Sequence, residues 1–426
     1  MLAPVKGPAM TDSDWFGVIW GDAEDDAREL SGPQRVDATS HGQSTNLAKF
    51  HAPEIVFGPG SLAELGHCAS RVGARRPFLV TDPGLTEAGW LDEAVDHLRL
   101  AGLRPTVWQD VTPNPKDHEV AAAFERYADS GSDVIIGLGG GSCIDAAKGV
   151  AILSGNGGRI LDYEGVDNVV HPIPPTVMVP STSGTGADVS QFAVITDTAE
   201  RIKITIVSRT LVPEISVIDP RLLTTMPDWL NAATGLDALS HAIEAYVSRA
   251  HNPLTDGHAL NAVRLITRNL LITQLRPKRV GSRLAMAQAS LEAGMAFTNA
   301  ILGATHAMSH QVGGLLDAPH GVVNGVLLPH VIRFNAVAWP NRFVPLAEAA
   351  GIQTAGLPAG EVALLLAQRV RDLADAVGVP RGLSDLGVTA ADVNRLADNT
   401  LKDACLATNP RDADLGDVET LFREAL

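Results

Sequence analysis

The sequence has few cysteines and no surplus of basic residues, and each shortage excludes a class of protein. Its 426 residues contain only Cys68, Cys143 and Cys405. These show no zinc-finger spacing and leave an odd count, so a disulfide framework is not expected. The 33 basic side chains are outnumbered by 49 acidic ones, which gives a net charge of −16. This balance argues against nucleic acid or an anionic membrane surface as the main partner.

Long apolar runs are also absent. No stretch reaches eighteen uncharged apolar residues, so no membrane-spanning helix is predicted. The first forty-eight residues lack the apolar core of a secretory signal and are too acidic for a transit peptide. We therefore expect a cytoplasmic protein.

The composition and hydrophobic pattern along the sequence predict three segments. Residues 1–48 are rich in Gly, Asp, Ser and Ala around an apolar island at 15–20, which favours a loosely held extension. From Phe50 onward, short β-branched runs alternate with helix-like segments, as in an α/β layer with parallel strands. Residues 226–426 are helical in pattern almost throughout. We expect an α/β domain over 49–221 and an all-helical domain over 222–426.

Individual elements can be placed from apolar runs and turn residues. The predicted strands are 78–81, 105–108, 133–137, 176–179 and 215–218, and the predicted helices between them are 61–73, 90–101, 117–130 and 142–154. Residues 283–312 are apolar on every side and rich in small residues, which predicts a buried, closely packed helix.

Histidines are concentrated in residues 303–335, which hold four of the thirteen in the chain. His306 and His310 are four apart and would share one face of a helix. Gly313 and Gly314 should weaken that helix. Pro319 suits the first turn of a new helix and would place His320 at its start.

A second polar pair lies upstream, where Asp237 and His241 are also spaced by four residues. Three imidazoles and one carboxylate, from Asp237, His241, His306 and His320, suit Fe(II) or Zn(II). The alternative is a group of buried histidines that bond to backbone carbonyls.

A glycine-rich turn follows the strand at 133–137 and leads into a helix. This order aims backbone N–H groups and a helix N-terminus at a phosphate. Ser142 and Asp145 have the form of a capping box. The spacing differs from the G-x-G-x-x-G fingerprint, and a merely tight strand-to-helix turn is the alternative.

Two further polar positions fit a nucleotide. The turn at 180–186 offers hydroxyls and glycines to phosphate or ribose oxygens. Asp82, after the strand at 78–81, would accept hydrogen bonds from a ribose diol and repel a 2′-phosphate, which favours NAD over NADP. Spacing alone does not assign Asp82, because such an acid normally follows the glycine turn.

With these motifs in place, the sequence from about Phe50 onward resembles the iron-dependent, group III, alcohol dehydrogenase family. The matching motifs are Gly-Gly-Gly-Ser at 139–142 with Asp145 and Lys148, Ser-Thr-Ser-Gly-Thr-Gly at 181–186, Gly-Leu-Asp-Ala-Leu-Ser-His at 235–241, His-Ala-Met-Ser-His at 306–310, Pro-His-Gly at 319–321 and Asn-Pro-Arg at 409–411. Two departures are the run Ser-Thr-Ser-Gly-Thr-Gly-Ala-Asp at 181–188, usually Thr-Thr-Ala-Gly-Thr-Gly-Ser-Glu, and the extension at 1–48.

The resemblance implies an N-terminal dinucleotide-binding α/β domain, a helical metal-binding domain and catalysis between them, a fold shared with dehydroquinate synthase. Its metal ligands fall on Asp237, His241, His306 and His320, and His310 matches a histidine near the nicotinamide. The implied cofactor contacts are Asp82, Asn114, Gly140, Gly141, Ser142, Ser181, Thr182, Thr185 and Lys203. The implied substrate pocket is Phe192, Phe297 and Cys405.

The expected reaction is hydride transfer between NAD and a primary alcohol or its aldehyde, at Fe(II) or Zn(II). His310 is expected to relay a proton, or else to shape the nicotinamide pocket. One alternative is a dehydroquinate-synthase-like lyase, which would need basic residues for a phosphate-bearing substrate. Another is a transhydrogenase of hydroxy and oxo acids that keeps its cofactor bound. Family members form dimers or larger rings, so a homo-oligomer is expected.

Overall fold

The structure is a computed structural model that describes residues 49–426, and this part of the chain forms one compact unit. The expectation for residues 1–48, including the apolar island at 15–20, falls outside the described residues. No helix in the described part is long and apolar enough to cross a membrane.

A six-stranded parallel sheet forms the first half of the described chain, in the order β1-β9-β6-β4-β2-β3. Every residue of β2, β4, β6 and β9 is buried. Such continuous apolar runs are expected where helices cover both faces of a parallel sheet. The strands are β1 (Glu54–Phe57), β2 (Pro77–Val80), β3 (Thr106–Trp108), β4 (Val134–Gly139), β6 (Thr176–Pro180) and β9 (Ile215–Ile218).

Five helices accompany this sheet: α1 (Leu65–Arg71), α2 (Pro83–Glu87), α3 (Trp90–Leu100), α4 (Asp117–Ser130) and α5 (Gly141–Asn156). Successive strand residues point to opposite faces. Accordingly, Phe78 joins a core with Val120 and Val150 from α4 and α5, whereas Leu79 joins a core with Leu65 and Leu98 from α1 and α3. The sheet therefore has a hydrophobic core on each face.

A second, three-stranded sheet was missed by the sequence prediction. It consists of β5 (Gly165–Val166), β7 (Phe192–Asp197) and β8 (Ile202–Val207), in the order β5-β8-β7, with β7 and β8 antiparallel. Along β8, Ile204 and Ile206 are buried in the core while Lys203 and Thr205 face a cleft. The strand therefore alternates and lacks the continuous apolar run by which the other strands were predicted.

Past β9, the described chain has helices and no further strand. The helices are α6 (Asp228–Val247), α7 (Pro253–Leu275), α8 (Val280–Ala300), α9 (Ala304–Leu316), α10 (His320–Ala336), α11 (Val344–Ala349), α12 (Ala359–Ala376), α13 (Val393–Thr400) and α14 (Leu415–Ala425). The predicted fold class, an α/β part followed by a helical part, is confirmed.

One detail of the helix prediction is wrong. Residues 283–312 do not form one helix, because the chain breaks between α8 and α9, where Ile301 has a φ of 62°. Gly313 and Gly314, which were predicted to weaken the helix of His306 and His310, lie inside α9, and this helix continues to Leu316. An added Cβ would lie 3.1 Å from the flexible end of the Lys203 side chain at Gly313 and 2.8 Å from the Ile202 backbone at Gly314, so packing requires the glycine at 314.

Candidate active site

A cleft of about 1010 Å³ lies between the carboxyl ends of the parallel strands and helices α6, α9 and α10. The carboxyl edge of a parallel sheet is the usual ligand site in such folds. Every site residue predicted from the sequence lines this one cleft: Asp82, Asn114, Gly140, Gly141, Ser142, Ser181, Thr182, Thr185, Phe192, Lys203, Asp237, His241, Phe297, His306, His310, His320 and Cys405.

The four predicted metal ligands converge at the helical side of the cleft. Asp237 and His241 lie one turn apart on α6, His306 lies in the first turn of α9, and His320 begins α10. The Nε2 atoms of His306 and His320 are each 3.7 Å from Oδ1 of Asp237. The rings of His241 and His306 stack with centroids 4.5 Å apart. The ligand atoms of Asp237, His241 and His306 thus all lie within 4.8 Å of one another, and His320 joins this group through its contact with Asp237.

Asn324 shows that this space suits a positive group. Its amide nitrogen lies 2.7 Å from Oδ1 of Asp237, 3.1 Å from Nε2 of His306 and 3.2 Å from Nε2 of His320. Its own oxygen is buried without a hydrogen-bond partner. Several lone pairs therefore point at one N–H₂ group. Nitrogen and oxygen donors without a thiolate fit a divalent ion such as Fe(II) or Zn(II) in that position.

The protonation states also fit a cation. Burial lowers the pKa of His241 to about 4 and lowers that of His320, so both imidazoles are neutral ligands near pH 7. Burial would raise the pKa of Asp237, but the imidazoles of His241, His306 and His320 around the carboxylate hold it below its usual range. Burial would also lower the pKa of His306, yet hydrogen bonds with Asp237 and Glu244 raise it to about 9. A metal ion would displace that proton.

Each ligand imidazole is held through its other ring nitrogen. Nδ1 of His241 lies 3.2 Å from the carbonyl oxygen of Gly184, and Nδ1 of His320 lies 2.9 Å from the hydroxyl of Ser309. Nδ1 of His306 lies 2.6 Å from Oε2 of Glu244. Such partners set ring orientation and tautomer, and leave Nε2 free to face an ion. The sequence reading missed Glu244, although it lies seven residues after Asp237 on the same helical face.

His310 lies beside the cluster and has a different partner. Its ring stacks on His320 with centroids 5.3 Å apart. Its Nδ1 lies 2.9 Å from Oδ2 of Asp403, whose other oxygen accepts the backbone N–H of Cys405. The sequence reading missed Asp403, because ninety-three positions separate it from His310. A carboxylate on Nδ1 leaves Nε2 of His310 as the free ring nitrogen.

The glycine turn presents an open helix N-terminus to the cleft. The predicted capping box is wrong: Gly140 is the N-cap of α5, and no side chain caps the helix. The hydroxyl of Ser142 instead accepts the backbone N–H of Asn114, and Asp145 is half-buried near Lys148. The N–H groups of the first turn therefore have no side-chain cap, which suits a phosphate group.

The second polar turn, residues 180–186, packs against the glycines at the start of α5. An added Cβ at Gly140 would lie 3.1 Å from the Thr182 side chain, and one at Gly141 would lie 2.8 Å from that of Thr185. Lys148, buried beneath this turn, donates hydrogen bonds to the carbonyl oxygens of Ala187, Ser190 and Phe192. Lys148 thus shapes the turn at 187–192 and does not line the cleft.

Asp82 lies at the end of β2, beside the glycine turn. Its Oδ1 accepts the backbone N–H of Leu85 and caps α2, and its Oδ2 accepts the thiol of Cys143. Across the cleft, Nζ of Lys203 donates to Oδ1 of Asn114 over 2.8 Å. Burial lowers the pKa of Lys203 to about 8, although Asp317 opposes this. Lys203 is the only lysine or arginine that lines the cleft within residues 49–426.

The wall of the cleft next to Asp237 and the three histidines is largely apolar. The rings of Phe192 and Phe297 lie 5.6 Å apart, and Phe297 stacks on His241 with centroids 4.4 Å apart. Burial raises the pKa of the Cys405 thiol, which keeps it neutral. This wall can enclose a small apolar group and offers no positive charge to a carboxylate or phosphate.

Comparisons with known proteins agree with this geometry. Residues 52–220 match the family model described as iron-containing alcohol dehydrogenase, and residues 231–426 match its C-terminal counterpart. The chain is 42% identical over 385 residues to the 1,3-propanediol dehydrogenase of Citrobacter freundii, covering 90% of this chain and 100% of the relative. It is 37% identical over 380 residues to the NAD-dependent methanol dehydrogenase of Bacillus methanolicus, covering 88% and 99%.

Solved structures resemble this one along most of the chain. The alcohol dehydrogenase from Oenococcus oeni superimposes with a TM-score of 0.87 at 37% identity, covering 89% of this chain and 100% of that one.

Proposed function

The chain belongs to the iron-containing alcohol dehydrogenase family, and we propose that it moves hydride between NAD and a primary alcohol or its aldehyde. The enzyme is an oxidoreductase of alcohols and aldehydes, as its relatives are. One observation carries the assignment of residues. An acid–imidazole cluster suited to a divalent ion and an uncapped helix N-terminus suited to a pyrophosphate open into the same cleft.

The metal site consists of Asp237, His241, His306 and His320. When bound there, Fe(II) would act as a Lewis acid and lower the pKa of a nearby hydroxyl. The family name favours iron, and the same donors also accept Zn(II). The three imidazoles leave the ion its positive charge, and the single carboxylate of Asp237 reduces that charge by one.

The cofactor site lies along the glycine turn and the second polar turn. Backbone N–H groups at the start of α5 receive the pyrophosphate, with hydroxyl groups of the second turn beside them. Asp82 accepts hydrogen bonds from the adenosine ribose and repels a 2′-phosphate, so NAD is the preferred cofactor. The contacts assigned to the cofactor are Asp82, Asn114, Gly140, Gly141, Ser142, Ser181, Thr182, Thr185 and Lys203.

His310 is assigned the proton transfer. Asp403 holds its Nδ1, so its Nε2 is available to take the hydroxyl proton of the alcohol and pass it to water. Phe192, Phe297 and Cys405 enclose the carbon chain of the substrate and exclude water from it. A short primary alcohol without a charged group fits this wall.

The cleft argues against a lyase reaction like that of dehydroquinate synthase. Such a reaction needs several basic residues to hold a phosphate-bearing substrate, and Lys203 is the only such side chain that lines the cleft in residues 49–426. Lys203 is already bonded to Asn114 on the proposed cofactor side.

A substrate panel on the Fe(II)-reconstituted protein tests the proposal through the absorbance of the reduced nicotinamide. Simple primary alcohols should reduce added NAD faster than NADP, and His306→Ala should lose both activity and bound metal. Hydride exchange between hydroxy and oxo acids without added NAD would identify a transhydrogenase instead. Absence of NAD reduction by every primary alcohol would contradict the proposal.

A further inference from the structure

Helix α6 presents a third side chain, Glu244, to the proposed metal site besides Asp237 and His241. The three residues are spaced by four and then three positions, so they lie on one face of the helix. Glu244 is 3% exposed. Its carboxylate accepts the backbone N–H groups of Thr305 over 2.6 Å and of Gly303 over 3.1 Å, and it contacts Nδ1 of His306 over 2.6 Å.

The start of helix α9 depends on this carboxylate. The first N–H groups of a helix have no partner within the helix, and a side chain at the N-cap usually supplies one. The N-cap of α9 is Gly303, which has no side chain to offer. Glu244 supplies the acceptor for Gly303 and Thr305 from another helix, while Oδ1 of Asn409 accepts the N–H of Ala304. The negative charge of Glu244 is favourable at a helix N-terminus. The position of His306, in the first turn of α9, is therefore set from α6.

The same carboxylate fixes the tautomer of His306. An ionised carboxylate accepts hydrogen bonds and donates none. Nδ1 of His306 must therefore keep its proton, so Nε2, which faces Asp237 and His320, is the nitrogen that gives up a proton and binds the ion. A neutral amide at position 244 could both donate and accept a hydrogen bond, so it would not impose this tautomer.

We propose that Glu244 is a positioning residue of the metal centre, which holds His306 in the metal-binding tautomer and fixes the start of α9. This inference rests on the proposed metal site. This role differs from that of a helix cap. A residue that only caps a helix would affect stability without affecting metal affinity.

Glu244→Gln tests the proposal because it keeps the shape and removes the charge. If the amide oxygen takes the place of Oε1 and accepts the N–H of Thr305, the amide N–H₂ takes the place of Oε2 and faces Nδ1 of His306. It then forces the imidazole proton onto Nε2, where it blocks the ion. We expect the affinity for Zn(II), measured by competition with a chromogenic chelator, to fall about 10- to 100-fold, as when comparable partners of metal ligands are removed.

Asp219→Asn is the matched control. Asp219 is also a buried carboxylate that accepts backbone N–H groups, from Gly60 over 3.1 Å and Leu62 over 3.2 Å, and it contacts no imidazole. It should lower the unfolding temperature and leave the Zn(II) affinity unchanged. An unchanged Zn(II) affinity in folded Glu244→Gln would overturn the proposal and reduce Glu244 to a helix cap.

Two further measurements separate the possible failures. If the wild type binds no Zn(II), or if His306→Ala binds it as tightly as the wild type, then the metal site itself is wrong, and the role of Glu244 with it. The second measurement needs no variant at position 244. In ¹⁵N-histidine spectra of the Zn(II)-loaded protein, the His306 ring should be protonated at Nδ1 and bound to the ion through Nε2. Protonation at Nε2 would overturn the proposal even if Glu244→Gln fails to fold.

Discussion

The close approach of helices α6 and α10 sets the distance between Asp237 and His320. Gly321 follows His320 and packs against Ala233, one turn before Asp237. A methyl group on Gly321 would lie 2.0 Å from the carbonyl oxygen of Ala233, 2.6 Å from its carbonyl carbon and 3.1 Å from Cβ of Asp237. Ordinary contact begins near 3.4 Å, which is 1.4 Å more than the shortest of these distances. Gly321→Ala must therefore move the helices apart by about 1.4 Å, since a backbone carbonyl cannot rotate away as a side chain can.

This displacement is about seven times the ~0.2 Å tolerance of metal–ligand distances. We expect Gly321→Ala to fold with a loss of about 1–3 kcal/mol of stability from overpacking. Its metal affinity should fall at least as far as the ~10- to 100-fold loss seen when partners of metal ligands are removed. Chelator competition measures the affinity, and thermal unfolding measures the stability.

Gly325→Ala is the matched control, because Gly325 lies one turn further along α10. Its added methyl group would meet only the end of the Leu236 side chain, at 2.7 Å, and that side chain can change rotamer. Gly325→Ala should bind metal as the wild type does. Wild-type metal affinity in folded Gly321→Ala would show that the contact between α6 and α10 does not set the ligand spacing.

Three further predictions concern the cofactor, the proton transfer and acid stability. Asp82→Asn keeps a helix cap but removes a charge, so kcat/KM for NADP relative to NAD should rise about fivefold or more. Like charges ~4 Å apart repel by about 1 kcal/mol even in water. An unchanged ratio would show that Asp82 does not contact the ribose. His310→Ala should retain the metal that His306→Ala loses, while its kcat falls about 10²- to 10⁴-fold; loss of metal from both variants would refute their separate roles. Burial raises the pKa of Asp219, but hydrogen bonds from Arg221 and from backbone amides hold it below its usual value. The ionised carboxylate therefore stabilises the folded protein above about pH 4, and this stabilisation is lost as the pH falls through the pKa of the folded state. The stability difference between the wild type and Asp219→Asn in urea titrations should therefore shrink on acidification, and a constant difference would contradict this assignment.

The helical spacing of the acid and histidine pairs could be predicted from the sequence because this signal is local, whereas most other cleft residues were implied by the family resemblance. Asp237 with His241, and His306 with His310, are spaced by one helical turn, and the structure places each pair on one helix facing the cleft. The buried parallel strands were also predictable, since their apolar runs are continuous. The antiparallel pair β7 and β8 was not, because β8 alternates between the core and the cleft.

Contacts between distant parts of the chain were beyond the sequence reading. Glu244 and His306 are sixty-two positions apart, and His310 and Asp403 are ninety-three apart. The N–H groups at the start of α9 bond to Glu244 of α6 and to Asn409, and no residue near Gly303 indicates these partners. The failed capping box at Ser142 has a similar cause, because Asn114 occupies the hydroxyl of Ser142 from another turn.

Anomalous diffraction at the iron edge, from crystals of the Fe(II)-reconstituted protein, tests the central claim most directly. We predict one iron site per chain, bonded to an oxygen of Asp237 and to Nε2 of His241, His306 and His320 at distances of about 2.0–2.2 Å. An iron peak elsewhere in the protein, or one that any of these four side chains fails to reach, would contradict the account.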